Sequence, residues 1–214
     1  MKILAVQSRM GIGDTVIFLP FIKALSKKFN SPISILVKEN SKANQYLHQT
    51  KYIDKILTLE RDNKTNNRHG GFFGIFKLAN DLKKYKFDKI FIFNSSLRFN
   101  LVAKISGIPK IYQYPLFTKN KQHIIETPKK FLKENLHLDI NEDPEVQIDS
   151  DLISKAAQKF QIDKNTTNIL LGIGGSGPTK RIPGKTFLSV IDKISNMKNC
   201  RFFLATGKAN EEQE

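Results

Sequence analysis

The stretch Lys2–Phe18, KILAVQSRMGIGDTVIF, decides how the rest of the chain is read. Ile3-Leu4-Ala5-Val6 is an unbroken apolar run, as a parallel strand covered on both faces requires. Gly11-Ile12-Gly13-Asp14 interrupts it, and Val16, Ile17, Phe18 and Leu19 resume the apolar pattern. The order is strand, glycine loop, helix. In an open α/β sheet such a loop lies in the crevice beyond the strand's carboxyl end, where ligands collect. Gly11 and Gly13 permit backbone angles and close approaches that a side chain would block, and Asp14 falls where an N-cap is expected. A carboxylate there either caps the helix or serves as a base.

A dinucleotide fingerprint starting at Gly11 needs glycine at position 16, which Val16 occupies. Glu39, after the next strand, would be the ribose-binding acid of such a site. An NAD-type oxidoreductase is therefore the alternative reading of this loop.

Working outward, the pattern repeats. Thr15–Phe29 reads as an amphipathic helix with Pro20 near its first turns and Lys23, Lys27 and Lys28 toward its end, where they favour the dipole. Ile33–Val37 reads as a strand, Ser41–His48 as a short helix and Ile56–Leu59 as a third strand, which predicts a parallel, doubly wound sheet. Glu60–Gly71, ERDNKTNNRHGG, is polar and basic, a loop whose Arg61, Lys64, Arg68 and His69 suit phosphates. Phe72–Tyr85 reads as a helix and Lys89–Phe93 as a strand ending in Asn94-Ser95-Ser96, small polar residues that again point to the crevice, with Arg98 after them. A further helix ends at Gly107-Ile108-Pro109, and Ile111–Tyr114 is a fifth strand. Lys119, Lys121, Lys129, Lys130 and Lys133 form the most basic part of the chain.

At His137–Asp149, HLDINEDPEVQID, the composition turns acidic, which reads as an interdomain linker. The expected division is a first domain over 1–140, a linker and helix over 141–165 and a second, partial domain over 166–214. That second part opens as the first does: a strand at Asn168–Ile173, the loop GGSGPTKR at 174–181, a helix at Pro183–Ile194 and a strand at Arg201–Ala205. The loop is not a P-loop, because Thr179 precedes Lys180 and Arg181 follows it. Backbone N–H groups, a hydroxyl from Ser176 or Thr179 and the Lys180 ammonium nevertheless suit a diphosphate.

Thirty-five Lys and Arg against 20 Asp and Glu give a net charge of +15, which favours anionic partners. The lysines come without a zinc, helix-turn-helix or RNA-recognition motif, so nucleic acid is not the expected partner. A single cysteine, Cys200, excludes an intramolecular disulfide and fits a reducing compartment. No apolar run approaches the roughly 20 residues that cross a bilayer, and the N-terminus enters a strand directly, so a cytoplasmic protein is expected.

Four stretches together resemble the bacterial heptosyltransferases of glycosyltransferase family 9: MKILAVQSRMGIGDTVIFLPFIKAL, ILVKENSKANQYLHQTKYIDKILTL, FDKIFIFNSSLRFNLVAKISGIPKIYQY and LLGIGGSGPTKRIPGKTF. The resemblance covers nearly the whole chain. It implies the GT-B architecture: an N-terminal Rossmann-like domain that binds the acceptor, and the first part of a second that binds the nucleotide sugar. It implies transfer of a heptose or related sugar from an ADP-sugar to a lipopolysaccharide core-type acceptor with inversion. Asp14 then matches the general base and Lys180 the lysine that stabilises the leaving diphosphate. Gly13, Gly175, Ser176, Thr179, Lys180 and Gly207 fall on the donor side, and Arg61, Lys64, Arg68, Ser96 and Arg98 on the acceptor side. No cofactor or metal is implied; the partners are the nucleotide-sugar donor and an anionic glycolipid, with peripheral contact at the inner face of the inner membrane. Two departures stand out. The chain ends before the family's later Asp-Thr-Gly motif, so a truncated second domain is expected, and Asn94-Ser95-Ser96 replaces the Gln-Gly often found there.

Overall fold

Strands β1 (Ile3–Val6), β2 (Ile33–Lys38), β3 (Ile53–Leu59), β4 (Lys89–Ile92) and β5 (Lys110–Gln113) form one sheet in the order β3-β2-β1-β4-β5. All neighbours are parallel. The computed structural model describes residues 1–9, 11–61, 67–116, 123–174 and 182–206. The chain winds outward from β1 to β3 and then returns to β1's other side as β4. The strand order therefore reverses between β1 and β4, and the crevice beyond their carboxyl ends is the binding position of such sheets.

The apolar run of β1 serves both faces. Ile3 and Ala5 join Ile33, Ile35, Val37, Phe91 and Phe93 in one core, whereas Leu4 and Val6 join Leu36, Ile90 and Ile92 in the other. Around the sheet run α1 (Ile12–Ile17), α2 (Leu19–Phe29), α3 (Ala43–Tyr46), α4 (Phe73–Lys83), α5 (Leu97–Ile105) and α6 (Glu126–Leu136). Leu19, Phe21, Ile22 and Leu25 of α2 and Phe131, Leu132 and Leu136 of α6 cover the first face. Ile75, Leu78, Ala79 and Leu82 of α4 and Phe99, Val102 and Ala103 of α5 cover the second.

Two expectations need correction. The helix expected over Thr15–Phe29 is two, since α1 ends at Ile17 and α2 begins at Leu19, with Phe18 capping both. Pro20 explains the break: it has no N–H to give, and its ring would strike the carbonyl of Val16 in a continuous helix, so the chain restarts with proline in the first turn of α2. The acidic segment expected to be a linker is held on the sheet domain through residue 149. Ile140 lies in the core, and Leu138 and Val146 pack against it. Lys23 Nζ lies 3.1 Å from Glu142 and 3.5 Å from Glu145, and Lys27 also bonds Glu142. The Tyr52 hydroxyl donates to the Glu145 carbonyl at 3.3 Å, and the Lys51 N–H to Gln147 Oε1 at 2.9 Å. Hydrogen bonds from Lys27 and Lys23 hold the Glu142 carboxyl below the usual carboxylate range.

The chain divides into two compact units, Met1–Asp149 and Ser150–Glu214. In the second, α7 (Ser150–Lys159), β6 (Thr167–Gly172), α8 (Gly184–Met197) and β7 (Cys200–Ala205) give one parallel pair of strands with helices beside it. Asp163 shapes the turn into β6, accepting the Asn165 N–H and the Thr166 hydroxyl, each at 2.8 Å.

Candidate functional site

The loop after β1 is built by a side chain that the sequence reading passed over. Gln7, buried just past the strand, accepts the Arg9 N–H at 2.7 Å and donates through Nε2 to the Asp14 carbonyl at 3.1 Å. One amide thus spans the turn and ties the first helical turn to the strand end. The helix starts at Gly11, not at Asp14. Gly11 takes φ 109°, an angle that L side chains rarely adopt, and so the expected N-cap role of Asp14 is not observed. Asp14 is the third residue of α1, in the first turn, where the helix dipole favours a carboxylate. Its side chain is half-buried and has no hydrogen-bond or ion-pair partner among the described residues. Gly13 has ordinary helical geometry, and a Cβ there would meet nothing within 4 Å.

The loop after β4 is joined to this one. Asn94 Nδ2 donates to Ser8 Oγ at 2.6 Å across the switch point, and its Oδ1 accepts the Ser96 N–H at 2.6 Å. Gln113, at the end of β5, donates to the carbonyls of Asn94 at 3.0 Å and Ser96 at 2.9 Å, and Asn100 donates to its Oε1 at 2.9 Å. Ser96 precedes α5, and its hydroxyl does not cap the helix. A chain of amides therefore fixes the ends of β5, β4 and β1 relative to each other.

Beside them opens a cavity of about 250 Å³ lined by Ser8, Arg9, Asn94, His123 and Thr127, with Phe18 and Phe93 as apolar wall. Tyr114 also lines it. Its ring packs edge-on against Phe131 at 5.0 Å and Phe93 at 5.9 Å, yet its hydroxyl is buried with no hydrogen-bond partner among the described residues. Burial pushes the phenol's pKa up, against the lowering effect of the Arg9 charge. It stays protonated.

The basic loop before α4 has a different arrangement. His69 is buried; its Nδ1 accepts the Glu60 N–H at 3.1 Å and its Nε2 faces Asp81 Oδ2 at 3.1 Å. Arg68 reaches the same carboxylate at 2.6 Å. Burial pushes the Asp81 pKa up, but the hydrogen bonds from Arg68 and His69, the Arg68 charge and Lys84 together outweigh it and hold the carboxyl low. Arg98 donates to the Gly71 carbonyl at 2.7 Å and also to that of His69. Gly74 makes this packing possible, since a Cβ there would lie 2.3 Å from the His69 backbone and 2.9 Å from Arg98. Arg68 and Arg98, expected on the acceptor, thus brace the turn into α4. Arg61 follows the end of β3, its N–H on the Leu59 carbonyl at 3.0 Å. Lys64 on the acceptor side, and Gly175, Ser176, Thr179, Lys180 and Gly207 on the donor side, lie outside the described residues. Among the described residues no cluster of His, Cys, Asp and Glu could hold a metal ion.

No family model matches the sequence, and no curated protein matches it. Solved structures do. A glycosyl transferase family 9 protein from Veillonella parvula superposes with a TM-score of 0.73 at 18% identity, covering 95% of this chain and 62% of its own. The chain has the fold of glycosyltransferase family 9. The E. coli ADP-heptose lps heptosyltransferase II shares this family 9 fold with a TM-score of 0.66 at 16% identity, over 95% of this chain and 64% of its own. E. coli heptosyltransferase WaaC, solved with ADP-2-deoxy-2-fluoro heptose, does so with a TM-score of 0.64 at 13% identity, over 99% and 70%. The chain spans less than two thirds of the length of the first two, 62% and 64%. At these identities the family 9 likeness fixes a GT-B-like, Rossmann-type architecture, while the chemistry rests on this chain's own residues.

Proposed function

We propose that the chain is part of an inverting glycosyltransferase that moves a heptose or related sugar from an ADP-sugar to a lipopolysaccharide core-type acceptor. The observation that carries this reading is Asp14, a half-buried carboxylate with no partner among the described residues, in the first turn of the helix at the sheet's switch point. A sugar hydroxyl is a weak nucleophile until a base takes its proton, and Asp14 is that base. As the acceptor oxygen bonds to the anomeric carbon, its proton passes to Asp14. The bond to the diphosphate breaks with its electron pair going to the leaving oxygen, and attack from the opposite face inverts the centre. The glycine loop with Ser176, Thr179 and Lys180 would stabilise the charge that collects on ADP. The polar cavity at Ser8, Asn94 and Tyr114 suits the hydroxyls of the acceptor, with Ser96 two residues beyond Asn94. The solved heptosyltransferases of the same fold support the donor class. An acceptor on a lipid anchor would put the reaction at the inner face of the inner membrane; no helix among the described residues is long and apolar enough to cross a bilayer.

The test is Asp14→Asn, assayed for ADP release from ADP-heptose with a lipopolysaccharide-core acceptor. Turnover should drop about 100- to 10,000-fold with the melting temperature unchanged. Full turnover in the variant would refute the base assignment.

A further inference from the structure

The outer face of α4 carries aromatic rings that no described part of the fold covers. Phe72, Phe73 and Phe76 are 69%, 77% and 44% exposed. They lie edge to face, with Phe72 6.0 Å from Phe73 and 5.7 Å from Phe76. Helical spacing puts Lys77, Asn80, Lys83 and Lys84 on this same exposed face, while Ile75, Leu78, Ala79 and Leu82 point into the core. The one carboxylate of α4, Asp81, is engaged by Arg68, His69 and Lys84. The bonds from Arg98 to Gly71 and His69 fix the start of α5 against the start of α4. Helix α5 has no acidic residue, and it exposes Leu97, Leu101 and Ile105 beside Lys104.

Clustered exposed rings of this kind mark an interaction surface. Rings ringed by lysines, on a helix already held rigid by its other face, match the composition of helices that rest in a bilayer interface, apolar groups among the acyl chains and ammonium groups at anionic headgroups. A second copy of this chain, itself at +15, is disfavoured by like charge. We infer that the Phe72, Phe73 and Phe76 face of α4, with Lys77, Lys83 and Lys84, docks on an anionic lipid bilayer. This deepens the glycolipid-acceptor reading and rests on it for its purpose alone: docking brings an acceptor anchored in the same bilayer to the protein.

The experiment is co-sedimentation of the full chain with phosphatidylglycerol/phosphatidylethanolamine vesicles that contain no glycolipid, beside pure phosphatidylcholine vesicles. Binding should favour the anionic vesicles and weaken with salt. The triple variant Phe72→Ser, Phe73→Ser, Phe76→Ser should lose about 100-fold or more in partitioning, each ring contributing on the order of tenfold, with an unchanged melting temperature. Lys77→Glu with Lys84→Glu should abolish the preference for anionic lipid. Equal binding by the triple variant, or no binding by the parent chain, overturns the inference. So does sedimentation velocity showing a parent dimer that the triple variant dissolves, which would make the face a protein interface. Because these vesicles hold no acceptor, a failed transferase assay leaves the outcome untouched. Absent vesicle binding by the parent chain alongside its intact transfer to a soluble core oligosaccharide would sink the docking alone.

Discussion

The two units contain the same sequence device, an apolar strand, a glycine loop and a helix, and reach opposite degrees of burial. In Met1–Asp149, β1 is flanked on both sides by strands and on both faces by helices, so Leu4, Val6, Phe91 and Ile92 are sealed from water. Among the described residues of Ser150–Glu214, β6 has one strand neighbour, and no residue of α7 or α8 is buried. Leu170, Leu188 and Leu204 stay 71%, 62% and 57% exposed. Local pattern selects the element, whereas layering makes the core. The same local device is therefore a different thermodynamic object in the two settings.

Paired truncations put this contrast at most risk. Phe91, fully buried and stacked on Tyr112 with centroids 4.6 Å apart, should cost about 3–5 kcal/mol as Phe91→Ala in chemical denaturation of the first unit. Phe203, half-exposed and 6.5 Å from Phe160, should cost less than about 1.5 kcal/mol as Phe203→Ala. Equal penalties would break the comparison. Hydrogen exchange sharpens it: amides of β1 and β4 should exchange only on global unfolding, and those of β6 and β7 at least about 100-fold faster.

A smaller effect tests the brace on α4. Arg98→Ala strips the His69 and Gly71 carbonyls of their donor and should cost about 1–3 kcal/mol, read as a lowered denaturation midpoint of the first unit alone. pH gives the next step down. The Asp81 carboxyl is held below its ordinary 3.8, so its contribution is complete above that value and fades as pH falls through the lower folded-state value. Asp81→Asn should flatten the acid limb of stability below the ordinary carboxylate value of 3.8. The smallest change belongs to the strap over residues 141–149. Its Lys23–Glu142 and Lys27–Glu142 pairs are open to water, and Glu142→Gln should move Tm by about 1 °C or less and less still in high salt.

Much of the fold is legible in the sequence because buried parallel strands and glycine breaks are local signals. The five strands and their parallel, doubly wound arrangement follow from such runs. What escapes depends on contacts between distant segments. Gln113 and Asn100 look like ordinary polar residues until β5 lies beside β4 and their amides meet the ends of other strands. Tyr114 reads as one more aromatic, and its buried hydroxyl, unpartnered among the described residues, shows only once the fold is assembled. Arg68 and Arg98 carry a phosphate-binding composition, but Asp81 and two backbone carbonyls, remote in sequence, engage them first. Pro20 reads as tolerated near the first turns of one helix, because apolar periodicity runs straight across Phe18 and hides the break.

Gly74 turns these contacts into a genetic reporter. In a saturation library selected for folded protein, position 74 should be depleted of every other residue, because any β-carbon wedges α4 away from the His69 turn. Position 13, which faces open space, should accept alanine in the same selection. If alanine at 13 then vanishes when the library is selected for activity, the missing steric demand comes from a bound substrate, and the two glycines will have separated architecture from chemistry without any ligand being seen.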